Sequence, residues 1–283
     1  MARILDYWHL FVPEYIPMAV TTLLVGAVAT TGTLPDWRFW PVAFALCCIV
    51  GAFNSLNAIA DKEIDRINRP ERPVPRDAIS EKQALTFSII LYLVALATAY
   101  WVSMTVFMIV FAAVILTAAY SYPEIELKKK YLIGTLVVTI FYAGLCLLAG
   151  WALYPAQRMP IEVMFFFFVL GFGLAITKDF MDIPGDSFNK AHTIPVKLGY
   201  TQSIGIVFII LTFAFLLLGF LVYSDMLPSK YYLLLIFYPL LFFNTNSFRK
   251  HAQSFYTNHL FQKTVLLLIA LELAFVGLTL YVN

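Results

Sequence analysis

Long apolar runs dominate the chain, and each closes on a short cluster of charged, polar or proline residues. A bilayer core is crossed by about 20 apolar residues in an α-helix. Runs of that length predict spans near 12–32, 40–65, 82–102, 104–122, 132–154, 161–186, 202–223, 230–247 and 264–282. The division at Val102 and Ser103 is the shallowest, so eight spans is the alternative count. The pattern predicts an all-α, polytopic membrane protein. About nine transmembrane helices would form one bundle around a central cavity, with residues 1–283 as a single domain.

Composition removes the soluble alternative. Of 283 residues, 61% are hydrophobic and 13% charged, against about a quarter charged in soluble domains. The net charge of +2 gives no reason to expect nucleic acid as a partner. Cys47, Cys48 and Cys146 lie in apolar runs, without disulfide-framework or zinc-ligand spacing, and read as packing residues. The N-terminus has no small-residue cleavage pattern, so no signal peptide is expected. With nine spans, 16 of the 19 Lys and Arg fall on one side and 3 on the other. By the positive-inside rule the N-terminus is then cytoplasmic, which suits a cell-membrane protein.

Two acidic stretches carry the chemistry. Asn57, Asp61 and Asp65 are spaced by four and four, which on a helix turning about 100° per residue puts them on one face. Asp179, Asp182 and Asp186 close the sixth predicted span at spacings of three and four, forming a second stripe if Pro184 leaves the helix intact. Asp61 to Asp182 and Asp65 to Asp186 are both 121 residues, and each motif runs into a loop of bases and prolines. This predicts an internal repeat with a site between its halves.

Facing carboxylates repel one another and are costly to desolvate, so a cation is called for. Hard oxygen donors without His or Cys suit Mg²⁺, which commonly shares its coordination with substrate phosphates. Nearby Arg and Lys would hold the remaining phosphate oxygens. A diphosphate head on a long hydrocarbon tail suits such a mouth over an apolar cavity. Aromatic residues, 17% of the chain, could shield a carbocation there.

At these residues the chain resembles the UbiA superfamily of intramembrane prenyltransferases. The matches are Asn57, Asp61 and Asp65, then Asp179, Asp182 and Asp186. The loop from Asp65 to Pro75 is similar to that of members making archaeal ether lipids or chlorophylls, while Tyr120-Ser121-Tyr122-Pro123 with Lys128, and Thr193 to Gly199, resemble further family segments. Ala58 replaces a common Asp, and Arg76-Asp77 replaces a common Ser-Gly. The resemblance implies Asp61, Asp65, Asp182 and Asp186 as Mg²⁺ ligands, supported by Asn57 and Asp179. Arg72, Lys128 and Lys190 are the diphosphate candidates. It also implies transfer of a prenyl group, through an allylic carbocation, from a prenyl diphosphate to a hydrophobic acceptor such as geranylgeranylglyceryl phosphate. An aromatic or quinone-precursor acceptor, cyclisation of the diphosphate, and cation-coupled transport are the alternatives.

Other charges have blander explanations. Arg66, Arg69 and Arg76 serve equally well as topology or headgroup residues, and Lys128 to Lys130 as a surface anchor. His192 reads as a loop residue. Glu272 lies deep in the last predicted span, where a hydrogen bond to a neighbouring helix would account for it, and it is left outside the expected site. Oligomeric state is not encoded in any of these signals.

Overall fold

The computed structural model describes residues 3–122, 124–125, 127–188, 192–250 and 256–281. Among them the chain is helical, with a single isolated bridge between Lys130 and His192. In order the helices are α1 (Ile4–Phe11), α2 (Ile16–Thr31), α3 (Phe39–Ala60), α4 (Lys62–Asn68), α5 (Glu81–Val102), α6 (Met104–Ser121) and α7 (Tyr131–Thr139). A π-helical turn, Ile140–Leu145, leads into α8 (Cys146–Trp151). Then come α9 (Ile161–Lys178), α10 (Ile183–Phe188), α11 (Ile194–Leu198), α12 (Tyr200–Tyr223), α13 (Phe237–Phe248) and α14 (Tyr256–Leu280).

Eight helical stretches among the described residues are long and apolar enough to cross a membrane. The shallow division at Ser103 is real: its side chain caps α6 by accepting from the Val106 N–H at 3.2 Å. The eighth expected span, 230–247, takes a different form. Ser229–Ile236 is 3₁₀-helical and only then becomes the twelve-residue α13. Pro239, in the first turn of α13, has no N–H to offer the preceding turn, so a regular α-helix cannot run through it from the start of the segment.

Two large apolar cores form, with a smaller cluster of Leu10, Ala58, Val74, Ile79 and Ala84 besides. One includes Phe166, Phe167, Leu211 and Leu271 of the C-terminal half; the other includes Leu46, Ile49, Val110 and Phe141. Helix α2 contributes to both, with Val25 and Val28 in the first and Leu23 and Ala27 in the second. It approaches α8 through Gly26 and Gly150, where an added Cβ would collide with the Leu147 and Leu23 carbonyls respectively. Small residues allow this backbone-to-backbone contact without a polar cost. Large side chains such as Leu93, Trp101, Ile209 and Leu216 remain exposed, as lipid-facing surfaces require.

Candidate active site

Both aspartate motifs lie where a long helix breaks. Helix α3 ends at Ala60, Asp61 takes φ −99°, ψ 9°, and α4 starts at Lys62. The carbonyl ladder continues through the bend, with the Asp61 N–H donating to Asn57 O at 2.8 Å and the Asp65 N–H to Asp61 O at 2.6 Å. Asn57, Asp61 and Asp65 therefore belong to two helical segments and the joint between them, rather than to one helix over 40–65. The sixth expected span likewise stops at Lys178 instead of 186. Tight i to i−3 bonds run through 179–182, and α10 begins at Ile183. Pro184 occupies its second position, where no intrahelical donor is required.

These breaks bring the motifs together. Asn68, at the end of α4, accepts the Gly185 N–H at 3.0 Å and donates to the Asp182 carbonyl at 3.3 Å. A Cβ at Gly185 would lie 2.6 Å from both Ile64 Cγ2 and Asn68 Nδ2, so glycine is needed for α4 and α10 to approach this closely. Arg69 then reaches across, 2.7 Å from Asp182 and 3.8 Å from Asp65.

Among the described residues, the other carboxylates of the motifs, Asp61, Asp65 and Asp179, each have a cation partner of their own. Lys128 sits 2.5 Å from Asp61, Arg72 2.8 Å from Asp65, and Lys178 3.0 Å from Asp179 and 3.5 Å from the Tyr120 hydroxyl. Burial nevertheless lifts Asp65 above the usual carboxylate range, outweighing Arg72 and Arg69. It does the same at Asp179 against Lys178. Asp186 is pushed up to about 7 by burial and then by Asp182, Asp179 and Asp61.

A cavity of about 1290 Å³, its open mouth included, starts at this cluster. Of the expected site residues, Asn57, Arg72 and Asp182 line it. Asp61, Asp65, Asp179, Asp186 and Lys128 stand beside it in their ion pairs and backbone turns. Lys190 lies outside the described residues. Of the Asp, Glu, Lys and Arg side chains that line it, three were not in the expected site: Arg69, Lys178 and Glu272. Lys178 had a legible signal, as a basic residue at the end of an apolar run, where an ionisable group is a functional candidate by default.

The donor chemistry fits Mg²⁺. Among the described residues no three Asp, Glu, His or Cys side chains converge into a ready-made metal cage. Mg²⁺ does not need one, because it is usually held through one or two carboxylates together with substrate phosphates and water. Asp186 is raised by burial first and by Asp182, Asp179 and Asp61 after it, and a divalent cation would offset the charge part of that cost.

Comparisons with known proteins identify the family. A family model described as the UbiA prenyltransferase family matches residues 18–262. Digeranylgeranylglyceryl phosphate synthase of Methanosphaera stadtmanae is 30% identical over 225 residues, 79% of each chain. Chlorophyll synthase of Arabidopsis thaliana is 28% identical, covering 68% of this chain and 54% of that one. Among solved structures, a UbiA homologue from Archaeoglobus fulgidus bound to GPP and Mg²⁺ superposes with a TM-score of 0.80, covering 98% of this chain and 100% of that one at 17% identity. That likeness concerns the fold. The model match spans most of the sequence, and this chain, an integral membrane prenyltransferase, belongs to the UbiA prenyltransferase family.

Proposed function

We propose that the chain transfers a prenyl group from a prenyl diphosphate to a lipid-type acceptor such as geranylgeranylglyceryl phosphate. The acceptor is suggested by the Methanosphaera relative. The observation that carries the reading is the convergence of Arg69, Arg72, Lys178 and Asp182 at the mouth of a predominantly apolar cavity. Asp61, Asp65, Asp182 and Asp186 would hold Mg²⁺, with Asn57 and Asp179 in support. When bound, the metal supplies positive charge that stabilises the departing diphosphate.

The chain's own residues do the rest. Arg69 and Arg72, paired with Asp182 and Asp65 in the free protein, can exchange those carboxylates for phosphate oxygens, which their planar guanidinium groups match. Lys178 lines the mouth directly, and Lys128 and Lys190 are the further diphosphate candidates. The C1–O bond breaks with its electron pair leaving on pyrophosphate. The acceptor oxygen then bonds to C1 and its proton passes to pyrophosphate or water. Tyr120, Tyr142 and Phe53 line the cavity, and their aromatic rings suit the allylic cation while excluding water.

The distribution of basic residues supports a cytoplasmic active-site mouth and N-terminus in the cell membrane. Residues 1–283 act as one domain whose two aspartate motifs are copies of a repeat. The test is incubation of the purified protein in detergent with Mg²⁺, radiolabelled prenyl diphosphates and a panel of acceptors. A labelled ether lipid is expected; label only on an aromatic acceptor, or no labelled product, overturns the reading.

A further inference from the structure

The cavity has a floor, and the floor carries a carboxyl group that prenyl transfer does not use. On α9 the lining residues run from Lys178 at the mouth to Phe167, and on α14 from Phe261 to Glu272. Phe261 packs on Tyr15 at the head of α2, ring centroids 6.3 Å apart. At the other end Phe167 packs on Phe275, one turn beyond Glu272, at 5.7 Å. Both rulers span eleven residues, or about 16 Å of helix, and they end at the same level. The deepest lining residues on the five walls are Thr22, Phe53, Ala143, Phe167 and Glu272.

Glu272 is 2% exposed and both its oxygens are engaged. Thr22 Oγ1 is 2.5 Å from Oε1, and Thr21 Oγ1 bonds to Oε2. The same hydroxyls lie one turn from backbone carbonyls, Thr22 at 2.8 Å from Met18 O and Thr21 at 2.9 Å from Pro17 O, so each proton is shared between its carbonyl and the carboxyl group and the hydroxyl is held in place from both sides. A carboxyl group in hydrocarbon is expensive, and a leucine would fill the same space more cheaply. What glutamate adds is directional anchoring. It is tied into one position and ties α14 to α2 at the depth where the cavity ends, whereas an unanchored apolar side chain would yield to a tail pressing on it.

Resting on the reading of this cavity as the prenyl-diphosphate site, we infer that Glu272, held by Thr21 and Thr22, is the specificity-determining floor that sets the longest prenyl tail accepted. An extra methylene then has to displace a hydrogen-bonded carboxyl group instead of finding apolar surface. It also meets a seam between α2 and α14 that is held shut, so the end of a longer tail has no exit at this level.

The experiment measures kcat/KM for a series of prenyl diphosphates of rising length at one fixed acceptor. In parallel, thermal stabilisation of the detergent-solubilised protein by the same diphosphates is read without acceptor. The unaltered protein shows a sharp drop beyond one tail length. Glu272→Ala moves that drop to a longer tail, raising the ratio of the next longer to the preferred substrate about 10-fold or more. Thr21→Val with Thr22→Val shifts it the same way, and Glu272→Gln, which keeps size and hydrogen bonds, restores the original profile. If Glu272→Ala does not fold, the paired threonine variant decides by the same ratio. Transfer and stabilisation with an unchanged length profile in the folded variants overturn the inference while leaving the activity intact. Absence of transfer by the unaltered protein with any tail overturns the functional reading and the inference with it.

Discussion

The first motif, Asn57 to Asp65, sits where α3 breaks into α4, and the second, Asp179 to Asp186, where α9 breaks into α10, but their cations come from different places. Lys128 and Arg72, from loops beyond the motif, neutralise Asp61 and Asp65. The second motif has Lys178, just before it, for Asp179, takes Arg69 from the first motif's loop for Asp182, and holds Asp186 raised by burial and then by its carboxylate neighbours. The two motifs are therefore not interchangeable. The loop of the first motif completes the charge pairing of the second through Arg69.

Changes on the two sides should differ accordingly. Asp182→Asn removes the carboxylate at which the motifs and the cavity meet. It should lower Mg²⁺-dependent pyrophosphate release by about 10²–10³, the scale of losing one preorganised electrostatic group; near-normal turnover in a folded variant would remove Asp182 from the site. Arg69→Ala leaves Asp182 without its partner and should cost about 1.5–3 kcal/mol, read as a roughly 10- to 100-fold fall in kcat/KM, with Arg69→Lys recovering only part. Gly185→Ala pushes α4 from α10 and should lower unfolding stability by about 1–3 kcal/mol, visible as a lower Tm in detergent. Ser103→Ala, far from either motif, should cost about 1 kcal/mol as a lost helix cap and leave transfer unchanged, which sets the baseline for the other three.

The spans and the pairing of the motifs were legible because apolar run length and a constant 121-residue offset are strong signals. The breaks were not. An Asp at 61 or 179 both continues a polar helical stripe and tolerates a bend, so spacing alone describes a straight helix equally well. Arg69 was hidden for another reason: in an arginine-rich loop the same residue type serves topology, headgroups and chemistry, and only its reach across to Asp182 separates these roles. Glu272 was conspicuous as an intramembrane carboxylate, yet its partners Thr21 and Thr22 lie some 250 residues earlier. Their proximity is a product of bundle closure, which no local pattern reports. Likewise the π-turn at Ile140–Leu145, which carries Tyr142 and Ala143 into the cavity wall, has no Pro or polar residue to announce it.

That the motifs form one site is tested most directly by a double-mutant cycle on kcat/KM for prenyl transfer, using Arg69→Ala, Asp182→Asn and the pair. Residues that act as a unit give losses far from additive, so the double variant should be little worse than Asp182→Asn alone. If the logarithmic losses instead sum, Arg69 and Asp182 act independently, and the shared mouth between the two halves is contradicted.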